Sequence, residues 1–91
     1  MTEDTTTEQT RIRMFGAQWC GDCRRTKAQL DAMELDYDYI DLEQDVAAAK
    51  VAEEISGRQR IPVLVYPDGS HQVEPSNADV AAKLRELELV D

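Results

Sequence analysis

The chain has 91 residues, 42% of them hydrophobic, and a formal net charge of −9. A chain of this length is expected to form one domain with a single core, and its acidic balance argues against nucleic acid or an anionic membrane surface as a general partner. No apolar run is long enough to span a bilayer and no secretory signal begins the chain, so we expect a cytoplasmic protein without a membrane partner. We also expect a monomer. In that compartment two cysteines are expected to be catalytic or metal-binding rather than a permanent disulfide.

The chain is predicted to begin with a tail and a strand. Residues 1–10 are rich in Thr, Glu and Gln and show no apolar periodicity, so we expect a disordered tail ahead of a domain over residues 11–91. The apolar pattern predicts a first strand over residues 11–15, which Gly16 ends.

A helix is predicted over residues 20–33, directly after the short loop that follows the strand. Its inward face is expected to hold the residues that recur at helical spacing, which are Cys23, Thr26, Leu30 and Met33. This spacing places Cys23 on the buried side of the helix, whereas Cys20 lies at its tip, nearer the solvent.

The middle of the chain predicts a second strand and a second helix. The strand is expected over Leu35–Leu42 and, because a helix separates it from the first strand, should be parallel to it with a right-handed crossover. Asp45 is a predicted cap for a helix over Val46–Ser56, and Gly57 is expected to follow its C-terminus.

The last third of the chain predicts a hairpin and a helix. A strand over Val63–Tyr66, the turn Pro67–Ser70 and a strand over His71–Val73 should form an antiparallel pair, and Ser76 should cap the last helix. The order β-α-β-α-β-β-α predicts an α/β sandwich in which helices cover both faces of a four-stranded mixed sheet.

The C-x-x-C pair Cys20-Gly21-Asp22-Cys23 lies where the first strand leads into the first helix. This position favours a redox site, with Cys20 as the nucleophile and Cys23 as the resolving thiol. A structural pair and a metal site remain alternatives, although zinc needs four ligands and the chain has one histidine. A cluster that bridges two chains through Cys20 is a further alternative.

The ionisation of Cys20 is predicted to depend on its neighbours. The helix N-terminus and Arg24, one turn further on, should both favour the thiolate. Asp22 should oppose it unless Arg25 pairs with that carboxylate. The net expectation is a moderately favoured thiolate.

Several stretches resemble one family closely. Trp19-Cys20-Gly21-Asp22-Cys23-Arg24-Arg25 resembles the active site of actinobacterial mycoredoxins, which are glutaredoxin-like members of the thioredoxin superfamily, and the match covers roughly Ile12–Leu87. The resemblance extends to Arg60-Ile61-Pro62-Val63, to the turn Pro67-Asp68-Gly69-Ser70 and to Pro75-Ser76.

The resemblance implies an activity and its partners. Mycoredoxins reduce mixed disulfides between proteins and mycothiol, so the expected partners are such mixed disulfides, the small thiol and its reductase. No bound cofactor or metal is implied, and mycothiol, or glutathione, acts as co-substrate. The resemblance also implies that Pro62 is cis and faces the nucleophilic cysteine. After the attack by Cys20, either a second small thiol or Cys23 would release the product.

Thiol binding is predicted around the loop before Pro62 and the start of the last helix. Candidate groups are the backbone of Ile61, the side chain of Arg60, and Ser76 with Asn77 at the helix N-terminus. Ser76 could equally be a plain cap, Arg60 a solvated loop residue, and Trp19 either a gate for substrates or a packing residue. The pair Gly-Gly that usually precedes the last helix of glutathione-binding members is replaced here, which disfavours glutathione.

Two alternatives to a mycothiol-dependent oxidoreductase remain open. One is a dithiol electron donor for protein disulfides that thioredoxin reductase recharges. The other is a redox-inactive iron–sulfur or binding module on the same fold.

Overall fold

The computed structural model describes residues 11–90, which fold in the predicted order β-α-β-α-β-β-α. The tail predicted over residues 1–10 lies outside the described residues, as does residue 91. The elements are β1 (Ile12–Gly16), α1 (Gly21–Ala32), β2 (Tyr37–Asp41), α2 (Val46–Ser56), β3 (Val63–Val65), β4 (His71–Val73) and α3 (Asn77–Glu86).

The four strands of the described residues form one mixed sheet in the order β2-β1-β3-β4. The β1 and β2 strands are parallel, with Ile12 opposite Tyr37, which confirms the predicted parallel pairing. The antiparallel pairing of β3 with β4 confirms the predicted hairpin. In addition, β3 runs antiparallel to β1, so the C-terminal end of β1 lies beside the start of β3.

Helices cover both faces of the sheet, as predicted. On one face, Leu30 of α1 and Leu84 of α3 pack against Met14 of the sheet. On the other face, Ala48 and Ala52 of α2 pack against Phe15. Apolar residues therefore alternate between two cores along the central strand β1.

The structure corrects two predicted boundaries near the cysteines. Gly16 does not end the first strand but belongs to it, because it is paired with Asp41 and its carbonyl accepts a hydrogen bond from the Leu42 N–H at 2.9 Å. Cys20 is not the first helical residue but the N-cap of α1, with φ −86° and ψ 119°. The helix therefore begins one residue later than predicted.

The predicted caps of α2 are confirmed. Asp45 Oδ1 accepts a hydrogen bond from the Ala48 N–H at 3.2 Å, and Gly57 ends the helix with φ 75°, in the left-handed region that glycine tolerates. This end of α2 directs the chain into the loop that leads to Pro62.

Candidate active site

Cys20 lies at the start of α1 with its sulfur directed at the backbone of the first turn. Its Sγ accepts a hydrogen bond from the Cys23 N–H at 3.3 Å, the contact that a serine or aspartate makes at other N-caps. A thiolate accepts such a bond more strongly than a thiol, and the positive end of the helix dipole acts in the same direction. Cys20 is partly exposed, so it can be reached from solvent.

Cys23 is sealed inside the fold, as its position on the helix predicted. The residue is 1% exposed. Burial raises the pKa of the Cys23 thiol to about 12, and the hydrogen bond with Cys20 adds to this, while a backbone hydrogen bond from Ala17 acts in the opposite direction. At neutral pH Cys23 is therefore a protonated, buried thiol beside the more exposed Cys20.

Gly16 provides the space in which the Cys23 sulfur lies. A Cβ atom at Gly16 would lie 3.0 Å from Cys23 Sγ and 3.3 Å from Cys23 Cβ. Contacts this short are tighter than nine in ten real Cβ contacts, so the cysteine would have to shift by a few tenths of an ångström to admit a side chain here. Sequence reasoning treated Gly16 only as a strand breaker and missed this role, because the contact depends on how α1 packs against the end of β1.

The charged residues predicted to influence Cys20 each have a hydrogen-bond partner of their own. Asp22 is paired with Arg25, whose Nη1 lies 2.9 Å from the carboxylate, so the alternative in which Arg25 neutralises this acid is the observed one. The guanidinium of Arg24 leans toward the helix N-terminus as predicted, but its Nη1 donates to the Gln18 carbonyl at 2.7 Å. Arg24 thus fixes the loop that carries the cysteine.

The loop before β3 brings Ile61 and Pro62 to the cysteine. The Ile61–Pro62 peptide bond is cis, as the resemblance implied, and Pro62 is buried. The Ile61 carbonyl oxygen lies 4.0 Å from Cys20 Sγ. The Glu74 N–H donates to the Pro62 carbonyl at 2.9 Å, which fixes the loop against the chain that follows β4.

The start of α3 is a closed capping box. Ser76 Oγ accepts from the Asp79 N–H at 3.0 Å, and the Ser76 N–H donates to Asp79 Oδ2 at 3.2 Å. Of the two interpretations of Ser76, the structure shows the contacts of the plain cap. Asn77, its neighbour, accepts from Arg25 through its side chain.

Arg25 connects the two helices at the edge of the site. Beside its pair with Asp22, its Nη2 donates to the Pro75 carbonyl at 2.9 Å and its Nε to Asn77 Oδ1 at 3.2 Å. Sequence reasoning recognised only the pair with Asp22, because the other partners are 50 and 52 residues away. A cleft of about 500 Å³ opens here, lined by Asp22, Arg25, Glu74, Ser76 and Asn77.

The remaining predicted residues, Trp19 and Arg60, are exposed to solvent. Trp19 is 67% exposed, so it is not a packing residue of the described domain. Arg60 is exposed and pairs with Glu74 at 3.4 Å. Arg60 and Ile61 also line a groove of about 440 Å³ against α2.

Residues 11–90 contain no group of three or more His, Cys, Asp or Glu side chains arranged to hold a metal ion. Within the same residues, every helix is too short or too polar to cross a membrane.

Comparison with known proteins identifies the family. The glutaredoxin family model matches residues 12–72. The chain belongs to the glutaredoxin family. As a glutaredoxin, it is a thiol–disulfide oxidoreductase.

Two actinobacterial relatives resemble this glutaredoxin along most of their length. A protein of Mycobacterium tuberculosis that carries the name glutaredoxin is 36% identical over 74 residues, which are 80% of this chain and 88% of the relative. Mycoredoxin 1 of Corynebacterium glutamicum is 34% identical over 77 residues, 84% of this chain and 95% of the relative.

A solved structure confirms the fold. The glutaredoxin of Archaeoglobus fulgidus superimposes with a TM-score of 0.75 at 22% sequence identity, and the match covers 89% of this chain and 92% of that one. The predicted thioredoxin-like sandwich is therefore confirmed.

Proposed function

We propose that this glutaredoxin reduces mixed disulfides between proteins and a small thiol, with mycothiol as the preferred co-substrate and glutathione as the weaker alternative. The observation that supports the proposal is the difference in environment between the two thiols. Cys20 is partly exposed and capped by a backbone N–H, whereas Cys23 is buried and protonated one turn further on.

The first step is an attack by the Cys20 thiolate on the small thiol's sulfur in the mixed disulfide. The protein thiolate leaves and takes up a proton, and Cys20 becomes joined to the small thiol. The Cys23 N–H, which binds Cys20 Sγ at 3.3 Å before the reaction, favours the thiolate that attacks. The Ile61 carbonyl oxygen lies 4.0 Å from Cys20 Sγ, so the Ile61 backbone is beside the reacting sulfur.

Two routes can release Cys20. A second small thiol can attack the Cys20 mixed disulfide and regenerate the thiol directly. Alternatively, Cys23 attacks Cys20 and leaves an intramolecular disulfide. The first route fits the protonated state of Cys23, because a thiol of high pKa contributes little thiolate at neutral pH.

The small thiol is proposed to lie along Ile61, with its non-reacting part toward Trp19, Arg60 or the cleft at the start of α3. An extended peptide-like thiol could pair with the Ile61 backbone in the manner of an added strand. None of the hydrogen bonds among residues 11–90 involves the Ile61 N–H, which leaves this donor for the ligand.

The charges of the cleft support mycothiol over glutathione. Glutathione carries two carboxylates, whereas the sugar and inositol part of mycothiol carries hydroxyl groups and no carboxylate. The cleft presents the carboxylates of Asp22 and Glu74, and the one arginine that lines it, Arg25, is already bound to Asp22. Glu74 is likewise paired with Arg60, so neither arginine is left to bind a carboxylate of the ligand, whereas hydroxyl groups can donate to the acidic oxygens.

The experiment that tests the proposal follows NADPH consumption with a mycothiol mixed disulfide, mycothiol and its reductase. Wild type, Cys20→Ser and Cys23→Ser are compared, and Cys20→Ser is expected to be inactive. If Cys23→Ser continues to turn over, Cys20 alone carries the reaction.

Parallel assays replace the mycothiol system with glutathione and its reductase, or with thioredoxin reductase and a protein disulfide. Activity only with thioredoxin reductase, lost in Cys23→Ser, would replace the proposal with a dithiol electron donor. Inactivity in all three systems, together with colour and bound iron, would indicate an iron–sulfur module.

A further inference from the structure

Glu74 holds the loop that faces Cys20 through two separate contacts. Its N–H donates to the Pro62 carbonyl at 2.9 Å, and Oε1 of its carboxylate lies 3.4 Å from Nη1 of Arg60. Ile61 lies between these two partners, with its carbonyl oxygen 4.0 Å from Cys20 Sγ. Glu74 therefore contacts the residues on both sides of the one that faces the reacting sulfur.

The backbone of Glu74 has φ 52°, a conformation that residues other than glycine rarely adopt. The two other non-glycine residues with positive φ among residues 11–90, Glu34 and Glu88, directly follow the C-caps of α1 and α3, where this conformation is common. Glu74 lies instead between β4 and α3. An acidic side chain therefore stands where the backbone conformation favours glycine, which points to a role for its carboxylate.

The ion pair between Glu74 and Arg60 joins two concave regions. Arg60 lines the groove of about 440 Å³ against α2, and Glu74 lines the cleft of about 500 Å³ at the start of α3. A peptide-like thiol whose cysteine part pairs with the Ile61 backbone extends about 3.3 Å per residue to either side. A carboxylate at either end of such a thiol therefore meets one partner of the ion pair.

Glu74 neutralises the cation that such a carboxylate would use. Arg60 is paired with Glu74, just as Arg25 is paired with Asp22. The side chains of Arg60 and Glu74 are 64% and 37% exposed, so solvent screens their pair and its effect is modest. We propose that Glu74 is a specificity-determining residue that disfavours small thiols with carboxylates by keeping Arg60 occupied. This inference rests on the proposed function and assigns part of its preference for mycothiol to one side chain.

The test uses two probes that differ only in their carboxylates. One is the mixed disulfide of glutathione with an uncharged cysteine peptide, and the other is the same compound made with glutathione dimethyl ester. Each probe reacts with reduced protein in a single turnover, and release of the peptide is followed by liquid chromatography at a series of probe concentrations. The readout is the ratio of the second-order rate constants for the acid probe and the ester probe.

Glu74→Gln is expected to raise this ratio about three- to fivefold, which is the effect of one exposed ion pair. The gain should lie in the half-saturating concentration of the acid probe rather than in its limiting rate, and should fade at high salt. Glu74→Gly should give the same gain, because glycine keeps the N–H that is bonded to Pro62 and adopts φ 52° without strain. Arg60→Gln should instead lower the ratio, and the double variant with Glu74→Gln should lose the gain.

Glu86→Gln is the matched control, because it removes the same charge and breaks an exposed pair with Lys83 at the C-terminal end of α3. It should leave the ratio unchanged. An unchanged ratio in both Glu74 variants, or a gain that survives without Arg60, would overturn the inference while leaving the proposed function intact. If wild type fails to react with the mycothiol mixed disulfide of the same peptide although Glu74→Gln raises the ratio, the proposed co-substrate is wrong and the role of Glu74 is supported.

Discussion

Gly16→Ala tests how the sulfur of Cys23 is packed. The new Cβ would lie 3.0 Å from Cys23 Sγ and 3.3 Å from Cys23 Cβ, and this buried side chain cannot swing into solvent. Overpacking of this kind costs about 1–3 kcal/mol. Gly16 is not among the positive-φ residues of the described chain, so alanine also gains about 0.4–1 kcal/mol by restricting the unfolded state.

The net expectation is a loss of about 1–2 kcal/mol in the free energy of unfolding, because the clash exceeds the entropic gain. For a chain of this size, such a loss lowers Tm by roughly 4–16 °C. The measurement is urea denaturation of the reduced protein, so that no disulfide contributes. In the Cys23→Ala background the sulfur is gone, and the loss should shrink by at least about 0.5 kcal/mol.

Two results would refute this reasoning. Gly16→Ala could prove as stable as wild type, or it could lose the same stability whether or not the Cys23 sulfur is present. Either result would show that the strand end does not confine the resolving thiol.

Three further predictions concern stability and use urea denaturation. Thr26→Val should raise the free energy of unfolding by up to about 1 kcal/mol, because the buried Thr26 hydroxyl has no partner among residues 11–90; a loss would reveal a hidden hydrogen bond. Ser76→Ala should lower it by about 1 kcal/mol through loss of the capping box, and an unchanged value would mean that the cap is dispensable. The free energy of unfolding should fall between pH 9 and pH 12. In the unfolded chain Cys23 ionises near pH 9, whereas the folded protein keeps it protonated to about pH 12. The raised pKa of Tyr66 acts in the same direction. The contribution of Cys23 is complete below pH 9, so Cys23→Ala should show a shallower alkaline decline, and an equally steep one would contradict the assignment.

The features that sequence reasoning predicted correctly depend on local patterns. The caps at Asp45 and Ser76 follow from side chains that bond within three residues, and the burial of Cys23 follows from helical spacing. The cis bond before Pro62 was expected only through the family resemblance, because a proline alone does not determine the isomer.

The features that it missed depend on contacts between distant elements. The local sequence predicts that Gly16 ends the first strand. In the structure Gly16 continues β1, because it pairs with Asp41 of the parallel strand β2. The local sequence predicts only that Arg25 pairs with Asp22. Its hydrogen bonds to Pro75 and Asn77 form only when α3 packs beside α1. The hydrogen bond from Arg24 to the Gln18 carbonyl was likewise not predicted, because it depends on the path of the loop before the helix.

The antiparallel pairing of β1 with β3 has a consequence for a growing polypeptide. The cysteines follow β1, but the Ile61 carbonyl that faces Cys20 is 41 residues further along the chain. During synthesis the thiol pair therefore emerges well before the segment that will stand over it. Until β3 pairs with β1, Pro62 does not lie beside Cys20 and Cys23 is not buried. The two thiols then react as an ordinary flexible dithiol. Trapping of Cys23 by a thiol-alkylating reagent would thus report, on a ribosome-bound chain, the moment at which the central strands pair.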